Sequence, residues 1–360
     1  MIAGVGVGDY LKLSRFNWPL TEQQPLYCYQ FNSVVGSNAA RVPLMTVTMK
    51  ANRIHVFGGP EVIVFEDVPR PAAGTGEALI RVHAAGVGPW DAWVRAGRSA
   101  LPQPLPLTLG ADLAGTVEAT GSRDSPFSVA DEVFGVTNPR FTGAYAQYAL
   151  AFTHMLAHKP RRRDFLESAT VPVVAVTARQ MLFRDAGVRS GDRVLVQGAA
   201  GNVGAYAVQF ARAAGAHVIA SVLPRDRDEA LRLGADQVIS IPSEEAQGLR
   251  GTLDTAIDTV GGKTQKDLFA YVRKGGTLIS SVSVPDAQLA QQCGIEAKFI
   301  LVDVNTEDLV AVADLLDAQQ LVVRIGQVLP LGGARQAHEM LDGLRPLPAG
   351  KVLLDALGAS

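Results

Sequence analysis

The chain has 360 residues, with 33 Lys or Arg against 35 Asp or Glu, a net charge of −2 and a hydrophobic content of 48%. That length suits two domains with their own cores, and the balanced charge gives no basic face for nucleic acid and no polybasic run for a membrane surface. The strongest uncharged apolar stretch, Ala169–Ala178, contains Pro172 and is far too short to span a bilayer. Cys28 and Cys293 are the only cysteines, too few for a disulfide framework or a four-cysteine zinc site, so ordinary thiols in a reducing cytoplasm are expected.

Residues 1–48 mix the Gly4–Gly8 repeat of Gly and Val, scattered aromatics and Pro19, Pro25 and Pro43 without a sustained period. They have neither the apolar core of a secretory signal nor the Arg- and Ser-rich, acid-free character of a transit peptide. This segment is expected to be a poorly ordered extension; an arm that wraps a partner subunit is the alternative. From Met49 to about Leu156, short strands alternate with Gly and Pro. Glu77–Ala85, Ala114–Ala119 and Asp131–Val136 read as strands of a twisted, barrel-like β domain.

Beyond Leu166 the texture changes. Val174–Arg184 reads as a helix, followed by alternating strands and helices at Arg193–Gln197, Val203–Ala214, His217–Val222, Arg227–Leu233 and Gln237–Ile241. Thr255–Val260 and Thr277–Ser281 are further buried strands, and Leu309–Leu316 is a helix leading out. Such alternation predicts a parallel sheet with helices on both faces, an α/β architecture. The terminal piece, Val322–Leu354, reads as strand, helix and strand and is expected to rejoin the first domain. The expected division is therefore 49–173 with 306–360 as one domain and 174–305 as the other.

The most informative stretch is Val194–Gly204, an apolar strand running through a glycine-rich turn into a helix. A dinucleotide pyrophosphate needs that order, because glycines admit close backbone approach and the free N–H groups of a new helix face the negative charge. Read as G-x-G-x-x-G, the positions are Ala199, Gly201 and Gly204, with Gly198 one residue earlier keeping a glycine in the turn. A plain strand–turn–helix corner would also use one or two glycines. The strand following at His217 supplies the βαβ context that separates the two readings.

The tip of that second strand reports on the nucleotide. A carboxylate about 20 residues past the glycines would bind a ribose 2′-OH and repel a 2′-phosphate. Here the tip is Ser221, with Arg225 and Arg227 shortly beyond, which favours NADP(H). Alternatively these arginines only pair Asp226 and Asp228 at a solvated helix start. Asn202 and Val203 would offer backbone N–H groups, and Val260, Gly261, Ser280 and Ser281 lie at strand ends that line the crevice of such a sheet.

Gly86–Asp91, Leu109–Val117, Gly198–Gly204, Asp258–Gly262, Pro330–Leu331, Ala337–Glu339 and Gly350–Leu353 together resemble the medium-chain dehydrogenase/reductase superfamily. The resemblance is closer to its zinc-independent quinone oxidoreductase, or zeta-crystallin-like, branch and runs from Met49 to Leu354. It implies a GroES-like domain, split in sequence, enclosing a Rossmann domain, and usually a homodimer or homotetramer. Thr177 resembles a family Thr beside the nicotinamide; a buried Thr bonding back to its own helix is the competing reading. Some relatives also carry a Tyr after the next strand, where this chain has Ile241.

Zinc-using members place a Cys where this chain has Gly88 and a His-Glu pair where it has Ala111 and Asp112, and no Cys stands near Val173 or Val174. A catalytic zinc needs about three protein ligands, so none of the usual set is present and no metal is expected. Without a Lewis acid, a readily reduced acceptor such as a quinone or an activated double bond is the better substrate.

The family's loop commonly reads Gly-Val-Asn-Pro-x-Asp; here Gly88 replaces the Asn, and Trp90 and Trp93 flank Asp91. The two indoles could wall a flat apolar acceptor or simply pack beneath the loop. Asp91 is expected to hold structure, His83 to be satisfied locally, and His338 to occupy a surface helix without a catalytic role. Lys351 matches a family lysine. The expected activity is NADPH-dependent reduction of a quinone, with enal or enone reduction as a second enzymatic reading and a non-catalytic NADPH-binding scaffold or regulator as a third.

Overall fold

The computed structural model describes residues 47–99, 101–241 and 243–358. The extension expected over 1–48 falls outside the described residues except for its last two.

The parallel sheet forms where alternation was expected. Its six strands run in the spatial order Gln237–Ile239, His217–Ser221, Arg193–Gln197, Leu253–Asp258, Val272–Ser280 and Glu296–Phe299. Val194, Leu195 and Val196 are wholly buried, as expected of a central strand covered by helices on both faces. From Arg193–Gln197 the chain winds outward to one edge, then returns and winds to the other. The crevice between Arg193–Gln197 and Leu253–Asp258 is therefore a topological switch point, where ligands of such sheets bind.

A seven-stranded sheet orders Ile325–Pro330, Lys351–Asp355, Glu77–Val87, Asp112–Thr120, Glu132–Val136 and Leu156–His158, with Tyr148–Phe152 also pairing Glu77–Val87. The last two strands of the chain thus join the first lobe, Lys351–Asp355 running antiparallel to Glu77–Val87. A small third sheet holds Thr48–Ile54 between Val64–Pro69 and Leu107–Thr108. One core cluster crosses between the lobes, joining Ala84, Ala114 and Phe134 to Val194, Val196 and Phe210.

Two local features differ from expectation. Val174–Arg184 is not one α-helix but an α-helix, Pro172–Arg179, running into a π-helix, Gln180–Asp185. Pro172 sits in the first turn, where a missing N–H costs nothing. The wider turns coincide with anchoring of Gln180 to the Asp308 carboxylate and the Asp303 carbonyl. The short helices Pro89–Arg95, Phe165–Ala169, Gly262–Leu268 and Ala287–Cys293 were not anticipated. At five to seven residues each, they are too short to show a 3.6-residue period.

Candidate active site

At the switch point the strand Arg193–Gln197 ends in Gly198 at φ +76°, and Gly198 and Ala199 donate their N–H groups to the Ser221 carbonyl. Gly201 caps the helix Asn202–Ala213 with no side-chain bond to its first turn, leaving the leading N–H groups free for an anion. A Cβ on Gly204 would lie 2.2 Å from the Gly198 carbonyl oxygen, so helix and strand approach too closely for any side chain there. This cradle fits a dinucleotide pyrophosphate.

The neighbouring strand ends complete the crevice. Asp258 is wholly buried; its Oδ1 accepts from the N–H groups of Val260 and Gly261, and its Oδ2 from Gln265 Nε2 and Ser280 Oγ. Ser280 Oγ in turn accepts from the N–H groups of Val282 and Ser283. Ser280 therefore shapes the crevice wall through its loop, and its hydroxyl is already committed. Ser281 donates its N–H to the Asp258 carbonyl, and Val260 is exposed at the rim.

The remaining expected contacts divide. Ser221 is buried. Arg225 is 73% exposed with only a 3.8 Å approach to Asp226, so its guanidinium is available to a ligand. Arg227 Nη1 instead donates to the Val238 carbonyl at 3.1 Å. Thr177 Oγ1 donates to the Val173 carbonyl at 2.6 Å, the back-bonding geometry within its own helix. Val203 is half-buried against the core and presents backbone, as a first-turn residue does.

The helix Pro89–Arg95 carries both indoles. Trp93 is exposed, whereas Trp90 turns inward. A Cβ on Gly88 would meet the Trp90 ring at 2.2 Å, so the indole occupies the space that a side chain at position 88 would need. The same ring lies 4.3 Å from the Lys351 ammonium, a cation–π contact. Lys351 Nζ donates to Asp112 Oδ2 at 2.8 Å, and Asp112 Oδ1 accepts from the Val173 N–H at 2.9 Å. Both side chains are buried. Burial raises the Asp112 carboxyl above its ordinary range, and the ammonium and the Val173 N–H oppose that rise.

The family resemblance singles out Lys351 and Asp112 separately, but their pairing across 239 residues carries no local signal. Nor does the Arg324 guanidinium, which reaches the Ala200 carbonyl of the glycine turn at 2.8 Å and Glu229 at 3.1 Å. A hole of about 10 Å³ lies between Thr170, Asn202, Tyr206, Arg324 and Lys351 at the first turn of the helix. Burial pushes the Tyr206 phenol up to about 12, so it stays protonated.

Asp91 is structural, as expected. Its Oδ2 accepts from the Gly88 N–H at 2.8 Å and the Tyr145 hydroxyl at 2.7 Å. Complete burial lifts its carboxyl to about 7, with the two hydrogen bonds acting in opposition. His83 Nε2 meets Thr116 Oγ1 at 3.2 Å, while its Nδ1 has no partner among the described residues. His338 lies on the helix Ala334–Leu341, which is exposed at Arg335, and is itself fully buried, turned inward onto Arg95. Among the described residues, no three His, Cys, Asp or Glu side chains cluster closely enough to hold a metal ion.

A parallel sheet with a glycine cradle at its switch point, packed against a second, β-rich sheet, is the architecture of dehydrogenase-type oxidoreductases. Residues 74–161 match the alcohol dehydrogenase GroES-like domain, and residues 233–354 match the zinc-binding dehydrogenase domain. The quinone oxidoreductase of Sus scrofa is 32% identical over 324 residues, covering 85% of this chain and 98% of that protein. That of Pongo abelii is 39% identical over 194 residues, 53% of this chain, and the match spans only 58% of that relative. Among solved structures, the quinone oxidoreductase from Coxiella burnetii aligns with a TM-score of 0.79 and 30% identity, over 86% of this chain and all of that one. A mycobacterial protein solved in complex with NADPH aligns at 0.76 and 28%, over 86% of this chain and 100% of that one. The chain belongs to the medium-chain dehydrogenase/reductase family, in its quinone oxidoreductase branch.

Proposed function

We propose that this protein transfers hydride from NADPH to a quinone or a similarly activated acceptor without a metal. The observation that carries the proposal is the pairing of a glycine cradle and an acid-free strand tip with an acceptor loop whose position 88 is filled by Trp90. NADPH, when bound, supplies the hydride, and positioning by the protein supplies most of the rate effect. Gly198–Gly204 and the first turn of the following helix would hold the pyrophosphate, Ser221 admits the 2′-phosphate side, and Arg225 neutralises it. Between the two arginines the geometry favours Arg225, since Arg227 already serves the Val238 carbonyl. The NADPH-bound mycobacterial neighbour supports the choice of nucleotide.

The zinc-binding label of the matched domain describes the family at large. Here Gly88, Ala111 and Asp112 stand where ligands would be needed, and Asp112 is engaged by Lys351 and Val173. The buried Lys351 ammonium holds fixed positive charge under the Trp90 face. The exposed Trp93 offers a flat apolar surface suited to a ring-shaped acceptor. The same reading carries a small-molecule acceptor, no nucleic-acid partner, a homodimer or homotetramer, and a cytoplasmic setting. Among the described residues no helix is long and apolar enough to cross a membrane.

The test is NADPH oxidation with a panel of quinones, a panel of enals and enones, and no acceptor, before and after exhaustive chelation. Quinone-dependent turnover that survives chelation is expected. Turnover only with enones would reassign the acceptor, and turnover that needs metal would end the proposal. Arg225→Ala should weaken NADPH by roughly tenfold or more while leaving NADH nearly unchanged. Equal losses for both nucleotides would remove Arg225 from the site.

A further inference from the structure

The helix that carries Trp90 and Trp93 is tied at both ends by buried polar contacts that take no part in the nucleotide cradle. At its start, Asp91 gathers the Gly88 N–H and the Tyr145 hydroxyl. At its end, Arg95, 4% exposed in its side chain, has a partner for each of its three guanidinium nitrogens. Nε donates to the Gly58 carbonyl at 3.0 Å, Nη1 to His338 Nδ1 at 3.0 Å, and Nη2 to Asp342 Oδ2 at 2.6 Å. The Tyr145 and His338 rings meet edge to face at 6.0 Å, so the two ties touch each other. One guanidinium thereby joins the Gly58 turn, the acceptor-loop helix and the helix Ala334–Leu341.

We propose that His338 is a positioning residue for the acceptor: as the neutral hydrogen-bond acceptor for Arg95, it fixes the helix that presents Trp90 and Trp93. Because a guanidinium can only donate, Nδ1 must accept and the ring proton must sit on Nε2. A protonated ring would set two cations against each other in a buried space. Burial first, and Arg95 second, hold the imidazole down to about 3, so it stays neutral through the working range. Asp342, 30% exposed, supplies the counter-charge from the rim. No phenol or amide on the acceptor loop itself could do this work, since position 88 is Gly and the loop's own acid is engaged with Tyr145. Control of the acceptor is thus delegated to a residue more than 240 positions away in the chain.

The kinetic part of this inference rests on the proposed function, and the test separates the two. His338→Leu removes the acceptor of the Arg95 bond, whereas His338→Asn places a side-chain oxygen near the position of Nδ1. Each variant is compared with the wild type in three measurements: acceptor KM and kcat, NADPH affinity by fluorescence titration, and hydrogen exchange of the backbone over residues 88–98. For His338→Leu, we expect acceptor KM to rise roughly tenfold with NADPH affinity held within about twofold. Exchange at the Asp91, Ala96 and Gly97 amides should quicken. His338→Asn should return KM to within about threefold of wild type and restore slow exchange. Should His338→Leu not fold, Asp342→Asn, at the rim, is expected to move KM and exchange in the same direction by a smaller factor. Unchanged KM and exchange in the Leu variant, equal loss of NADPH affinity, or an Asn variant no better than Leu would each overturn the proposal. If the wild type reduces no acceptor, the proposed function fails, and the exchange measurement still decides whether His338 holds this helix.

Discussion

Asp91 offers the sharpest quantitative test of the site's electrostatics. Its carboxyl is completely buried, and its pKa is lifted from 3.8 to about 7. In the unfolded chain it would titrate near 3.9. Between those values the folded protein holds a proton that the unfolded chain has released. A folded-state pKa raised in this way contributes stability that is fully present below the unfolded value and is lost as pH climbs through the folded one. One pKa unit corresponds to about 1.4 kcal/mol, so the whole contribution is about 4 kcal/mol. The part lost between about pH 5 and pH 8 is about 2–3 kcal/mol. Asp91→Asn mimics the protonated acid: its carbonyl can accept from Gly88 and Tyr145, and its amide carries no charge at any pH. The difference in unfolding free energy between variant and wild type, from urea denaturation at several pH values, should therefore move in favour of the variant by about 2–3 kcal/mol over that interval. A difference flat across pH 5 to 8 would refute the reasoning, because Asp91 would then titrate alike in both states.

Three further outcomes follow from the same geometry. Lys351→Met strands a buried carboxylate and should cost about 3–5 kcal/mol in urea unfolding, most of it recovered in the double variant with Asp112→Asn; a single variant as stable as wild type would show that the pair carries nothing. Gly88→Ala forces a methyl group into the Trp90 ring and should cost about 1–3 kcal/mol. The penalty should largely vanish when Trp90→Ala is present, a coupling read from a double-mutant cycle. Gly204→Ala, by pushing helix and strand apart at the cradle, should lower NADPH affinity by roughly tenfold or more in a titration while the acceptor loop remains intact.

Much of this protein is legible along the chain. The alternation after Leu166, the glycine turn and the acid-free tip at Ser221 are local signals. Period, turn chemistry and charge act over distances of a few residues, and the parallel sheet and its cradle follow from them. Short helices such as Pro89–Arg95 escape because one or two turns cannot display a helical period. The burial of His338 within its amphipathic helix escapes for another reason. Its helix has a polar face and an apolar one, and whether the imidazole meets solvent or the buried Arg95 guanidinium depends on a partner 243 residues away in the chain.

The amino-acid order alone determined the α/β class, the place of the glycine turn at the sheet's switch point and the residue types missing from position 88 and its partners. Tertiary structure alone decided how the gap is filled, with the Trp90 indole against Gly88, Lys351 on Asp112 and Arg95 on His338. The physical reason is range. Backbone conformation and hydrophobic period are set by near neighbours. Buried charges must instead find partners wherever the fold brings them, because leaving them unpaired costs several kcal/mol.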